Sequence, residues 1–173
     1  MILNQQKTYA LPRPVLQIYV RSLKRHLHLG KSDFNVCFVD DAAMRRMNAA
    51  FRRQDCATDV LSFPWIEHAE PVSAQRNTRR GKAALSGAQL KDSTTRDLQG
   101  FLGDIIISVE TARRNARDEG HSTRNEIRWL ILHGVLHLLG YDHARDNGEM
   151  TALELALRAR LGVAGARPRR SST

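Results

Sequence analysis

The sequence predicts an α+β fold, a single mostly mixed β-sheet covered by helices, and three observations carry that expectation. Short runs of β-formers, FNVCFV, VLSFPW and GDIIISV, lie between segments whose apolar residues recur at helical spacing. No internal repeat and no Gly-rich phosphate loop after a strand interrupts this order. One segment, IRWLILHGVLHLL, is apolar around nearly its whole circumference, which marks a central, buried helix. A metal site is expected on that helix and the turn after it.

The elements follow in order. Pro12 and Pro14 open a first helix, expected from about Pro14 to Leu29 and closed by Gly30, with Val15, Ile18, Leu23 and Leu27 forming its stripe. FNVCFV alternates and reads as a strand. Asp40 or Asp41 caps a second helix, DAAMRRMNAAFRR, with Met44, Met47 and Phe51 on one face. VLSFPW is a short strand stopped by Pro64, and GDIIISV is a strongly apolar one bounded by Gly103. ETARRNARDEG predicts a third helix ended by Gly120. Thr123 and Glu126 match a capping box at the start of the buried helix, which continues to Gly140. After YDHARDN, a last amphipathic helix, GEMTALELALRARLG, turns Met150, Leu153, Leu157 and Leu161 inward. A further strand is sought in ILNQQ or in the insertion described next.

At 173 residues the chain can bury a core without disulfide or metal staples, and one domain over residues 1–162 is expected. Within it, residues 67–100 show no sustained period and carry six basic residues against two acids from Arg76 to Asp97, so they read as a mobile basic insertion. Residues 163–173 read as a basic, disordered tail. Lysine and arginine number 27 against 18 acids, a net charge of +9, which attracts polyanions and makes nucleic acid the first partner to consider. A basic protein that is merely soluble is the competing reading, and charge alone does not choose between them. Cys37 and Cys56 form no CxxC pattern and suit a reducing compartment. The N-terminus has no basic segment followed by an apolar run, and no stretch nears the roughly 18 apolar residues of a membrane span. A cytoplasmic protein with no membrane partner is expected.

The chemistry concentrates in HGVLHLLGYDH, residues 133–143. His133 and His137 are four apart on a helix, so their rings can converge on one face. Gly140 can end the helix and reverse the chain, returning His143 to the same ion. This H, x3, H, x5, H spacing is that of zinc proteases, except that Gly134 stands where those enzymes carry a glutamate general base. A peptidase of that design is therefore disfavoured. Three core histidines bonded to backbone carbonyls form one competing reading; a structural zinc closed by Cys37, Cys56 or Asp142 forms another. Three histidines alone leave a position for water, the mark of an open, catalytic zinc site. Asp142 is assigned to orienting a histidine. Thr58, Asp59, Ser62 and Asp104 are assigned capping and ladder roles, Tyr141 to the core, and His26, His28, His68 and His121 to the surface.

HGVLHLLGYDH, with TDVLSFP (Thr58 to Pro64) and LGDIIIS (Leu102 to Ser108), resembles the YbeY family of bacterial metal-dependent endoribonucleases linked to ribosomal RNA maturation. The three motifs occur in the family's order, and the resemblance covers most of residues 34 to 160. It implies an α+β metalloprotein with Zn2+ held by His133, His137 and His143, Ni2+ being another candidate. It also implies cytoplasmic work on the 3′ end of small-subunit ribosomal RNA, in processing and ribosome quality control, with RNA and the small ribosomal subunit as partners and no DNA. The family carries an arginine before its TDVLSFP-like motif, in a phrase like FRGKDxPTDVLSFP. Here the phrase is FRRQDCATDVLSFP, which puts Arg52 in that place while Arg53, Gln54, Cys56 and Ala57 depart from the pattern. Arg52 would then steady a phosphate, since guanidinium presents a planar fork to two oxygens. A zinc-dependent, single-strand-specific endoribonuclease is thus the leading function. An RNA-binding assembly factor with a structural zinc comes next, and a metallopeptidase last.

Overall fold

The computed structural model describes residues 1–65, 100–142 and 146–163. The insertion at 67–99, His143 and the tail from 164 onward, all subjects of expectations above, lie outside the described residues. The described elements are β1 (Ile2–Asn4), α1 (Arg13–His26), β2 (Asp33–Val39), α2 (Asp41–Arg52), β3 (Val60–Pro64), β4 (Phe101–Ser108), α3 (Val109–Asp118), α4 (Thr123–Leu138) and α5 (Glu149–Arg160). The strands form one sheet in the order β1-β2-β4-β3. β1 and β2 run parallel to β2 and β4 respectively, and β3 closes one edge antiparallel to β4. This is the mixed sheet the sequence predicts, and ILNQQ supplies its extra strand.

Strand alternation sorts the core into two layers. Phe34, Val36, Phe38, Ile105 and Ile107 face a large cluster with α1, α4 and α5. Cys37, Val39 and Leu61 face the opposite way, against Met44 of α2. α4 packs on β3, β4 and α3, and its Leu130, Ile131, Leu132, Val135, Leu136 and Leu138 are all essentially inaccessible. That is why its sequence shows no polar face.

Several local expectations need correction. α1 buries Leu16, Tyr19 and Leu23, while Val15 and Ile18 are 41% and 60% exposed. Its apolar residues offer two possible stripes, and the Tyr19 hydroxyl, donating to the Arg128 carbonyl oxygen at 2.8 Å, belongs to the one that packs. The helix also ends at His26, short of Leu29, with His28 in the left-handed region at φ 52°. At α4 the N-cap is Ser122, which accepts from the Asn125 amide at 3.2 Å, so Glu126 is not part of a capping box. Phe51, expected inward, is 67% exposed and touches Phe63 only edge to face. Val163, assigned above to the tail, is 4% exposed and part of the core.

α2 starts at Asp40, which accepts from the Ala43 amide at 2.7 Å. The next residue, Asp41, ties α2 to α3 by accepting from Ser108 Oγ and Thr111 Oγ1 and by pairing with Arg114 at 2.7 Å. Burial alone would raise its pKa, but the hydrogen bonds from Arg114, Ser108 and Thr111 together outweigh that and hold the carboxyl below its usual range. A carboxyl so depressed stabilises the fold above its unfolded pKa of about 3.9, and the contribution fades as pH falls through the lower folded value. Asp41→Asn is expected to cost about 1 to 2 kcal/mol in urea denaturation at pH 7. That deficit should shrink in acid; a deficit independent of pH would show that the charge contributes nothing.

Candidate metal centre

α4 lies closely against the sheet because Gly134 has no side chain. A Cβ built there would stand 2.7 Å from Ile105 Cγ2, closer than carbon atoms approach. At the same end of β4, Gly103 adopts φ 140° and lies against the Phe63 carbonyl oxygen and Leu138. These two contacts fix the height and the end point of the C-terminal half of α4, which carries the histidines.

His133 and His137 converge as their spacing predicts. Their Nε2 atoms are 3.1 Å apart, with ring centroids 4.6 Å apart and planes at 82°. His133 Nδ1 lies 3.3 Å from Glu154 Oε2 on α5, and both side chains are largely buried. A carboxylate only accepts, so this contact puts the His133 proton on Nδ1 and turns the Nε2 lone pair toward His137. Two nitrogens about 2.0 to 2.1 Å from one tetrahedral ion stand roughly 3.3 Å apart, close to the spacing seen. The donor chemistry therefore fits a divalent transition metal, with Glu154 orienting one ligand ring as acids commonly do around zinc.

Glu154 was not singled out by sequence. The signal was there: Met150, Glu154 and Leu157 form the inward row of α5, continued by Leu161 just after it, and an acid on an apolar stripe needs a partner. Asp142, the expected orienting acid, is half-buried, and its carbonyl oxygen accepts from the Asp146 amide at 3.0 Å. Tyr141 packs against the core as expected, and burial raises its phenol pKa.

Arg52 is exposed at the last turn of α2, on the sheet face opposite α4. It is nevertheless at the same end of the sheet as the histidines, because Phe51 touches Phe63, which pairs with Asp104 beside Gly103 and Leu138. The thiols are placed elsewhere: Cys37 lies in the α2 layer with its pKa raised by burial, and Cys56 is exposed after α2. Asp59 accepts from the Val60 amide and Asn115 Nδ2, and Asp104 from Asn35 Nδ2, in the structural roles assigned to them. His26 and His28 are peripheral. His121 is not a surface residue, since its side chain is only 9% exposed.

A family model described as endoribonuclease YbeY matches residues 2–162, from β1 to beyond α5. The chain belongs to the YbeY family. Among YbeY proteins, the endoribonuclease YbeY of Solibacter usitatus is 39% identical over 153 residues, covering 88% of this chain and 82% of that protein. Its counterpart in Nautilia profundicola is 41% identical over 126 residues, covering 73% of this chain and 70% of that one. The solution structure of TM1509 from Thermotoga maritima superimposes with a TM-score of 0.54 at 22% identity, over 98% of this chain and 100% of that chain. That likeness supports the α+β fold.

Proposed function

We propose that this chain is a metal-dependent endoribonuclease that cuts single-stranded RNA. Its proposed substrates are precursors of small-subunit ribosomal RNA, processed and monitored in the cytoplasm. The cation is zinc, or another divalent transition metal such as nickel, held by His133, His137 and His143. The observation that carries the reading is the 3.1 Å approach of the His133 and His137 Nε2 atoms, with Glu154 behind the first ring. Membership of the YbeY family, whose curated relatives are named endoribonucleases, supplies the reaction class.

When bound, such a cation polarises a phosphoryl oxygen and acidifies a water molecule. The chain's own groups do the rest. Glu154 keeps the His133 proton on Nδ1, and Arg52 grips a phosphate next to the scissile one. Phe51 and Trp65, 67% and 71% exposed, stand at the same end of the sheet and offer ring faces on which unpaired bases stack. Gly134 leaves the position beside the first histidine without a carboxylate, which argues against peptide hydrolysis.

A direct test is cleavage of a single-stranded RNA oligonucleotide by the purified protein, halted by chelator and restored by zinc. A folded, metal-loaded protein that leaves RNA intact would refute the enzyme and favour a ribosome assembly factor. Glu154→Gln is expected to weaken metal affinity by about 10- to 100-fold, read by competition with a chromogenic chelator, while far-UV circular dichroism stays unchanged. Unaltered affinity would remove Glu154 from the site. RNA binding should weaken with salt, log K falling against log salt by roughly 0.7 per phosphate neutralised; a flat response would take away the argument from charge.

A further inference from the structure

The turn joining α3 to α4 gathers a second set of donors, remote from the histidine pair. Glu119 caps the end of α3, and Gly120, at φ 73°, reverses the chain so that the His121 amide donates back to the Ala116 carbonyl oxygen at 2.9 Å. The His121 ring is thereby set between two carboxylates: its Nε2 lies 3.5 Å from Glu119 Oε2 and 3.2 Å from Glu126 Oε2. Glu126, in the first turn of α4, is completely buried. One donor atom from each of these three residues lies within 4.8 Å of the other two.

The other ring nitrogen decides what this arrangement is for. His121 Nδ1 lies 3.2 Å from the Ser122 carbonyl oxygen, which can only accept, so the contact puts the ring proton on Nδ1. A neutral ring then directs its Nε2 lone pair at two carboxylates. That repulsion is removed by a second proton on the ring, by a proton on the buried Glu126 carboxyl, or by a cation between the three groups. A proton shared between ring and carboxylate would draw the two atoms to about 2.7 to 2.9 Å, as charge-assisted hydrogen bonds do. Ligands around a tetrahedral zinc stand roughly 3.4 Å apart, and the two distances here match that spacing. A backbone carbonyl on Nδ1 is also how many metal-ligating histidines are oriented.

We propose that Glu119, His121 and Glu126 form a second divalent-cation site, of zinc type, that clips the start of α4 to the end of α3. One imidazole and two carboxylates suit zinc, cobalt or nickel above magnesium or calcium, which prefer all-oxygen shells. The bound cation also neutralises the charge of a fully buried carboxylate.

The test is metal stoichiometry of the full-length protein after equilibrium dialysis against zinc, with cobalt absorption as a second probe. The parent is expected to hold two ions, His121→Ala and His137→Ala one each, and the double variant none. Because burial of Glu126 makes that position sensitive, Glu119→Gln at the more exposed ligand serves as the control, with the second zinc weakened by about tenfold or more and circular dichroism unchanged. A parent that binds one zinc, kept in His121→Ala and lost in His137→Ala, overturns the second site and leaves the first intact. One zinc kept in His137→Ala and lost in His121→Ala upholds it and removes the first. Zinc affinity unchanged by both His121→Ala and Glu119→Gln overturns it as well.

Discussion

His137→Ala is expected to remove the cation proposed for α4 and to lower RNA cleavage by on the order of a thousandfold or more, while the protein stays folded. His133 and His137 share one helix face with their Nε2 atoms 3.1 Å apart, and a lone His133 can still approach a cation but cannot hold it in a closed ligand set. The fold should survive because the large core cluster around α4 consists of aliphatic and aromatic residues that do not involve the His137 ring. Loss of cleavage with unchanged thermal unfolding supports a catalytic cation. Loss of folding together with metal assigns the ion a structural task, and full cleavage by a folded variant lacking this ion refutes the proposal.

The second large effect is expected at Gly134. Gly134→Ala introduces a Cβ that meets three atoms of Ile105 between 2.7 and 3.2 Å, and Ile105 is itself completely buried. Either Ile105 leaves its rotamer or α4 lifts from the sheet. Overpacking of this kind costs about 1 to 3 kcal/mol in denaturant unfolding. Lifting α4 also shifts the histidines relative to α5, so metal affinity should fall in parallel. Gly134→Glu, which would restore the protease-like general base, is expected not to fold, because the carboxylate would enter the core unpaired. A double-mutant cycle checks the cause: Ile105→Ala combined with Gly134→Ala should cost less than the sum of the two single changes. Strict additivity would show that these residues do not oppose one another.

The parts of the fold legible in the sequence were those written in local periodicity. β2, β3 and β4 announce themselves as short runs of β-formers, and α4 as a segment apolar around nearly its whole circumference, which marks a central helix. The His133–His137 approach follows from helix geometry alone. What the sequence left open depends on partners distant along the chain. Tyr19 selects the packed face of α1 through Arg128, 109 residues away, and Glu154 finds His133 across 21 residues. Glu126 is a different case: its partner is five residues off, but a capping-box pattern offered a simpler explanation, and Ser122 took the cap instead. Arg52 shows the limit of motif transfer, since sequence names the residue while only the register of β3 against β4 shows which end of the sheet it occupies.

The contact between Glu154 and His133 makes the C-terminal helix the last component of the centre to be synthesised. A nascent chain that has emerged only as far as Gly140 already displays two of the proposed imidazoles, yet His133 lacks the acid that fixes its tautomer. The proposed site is thus completed only once α5 has been translated and has docked, so the fold carries its own timing: a half-made protein holds the helical pair without the clamp that readies it.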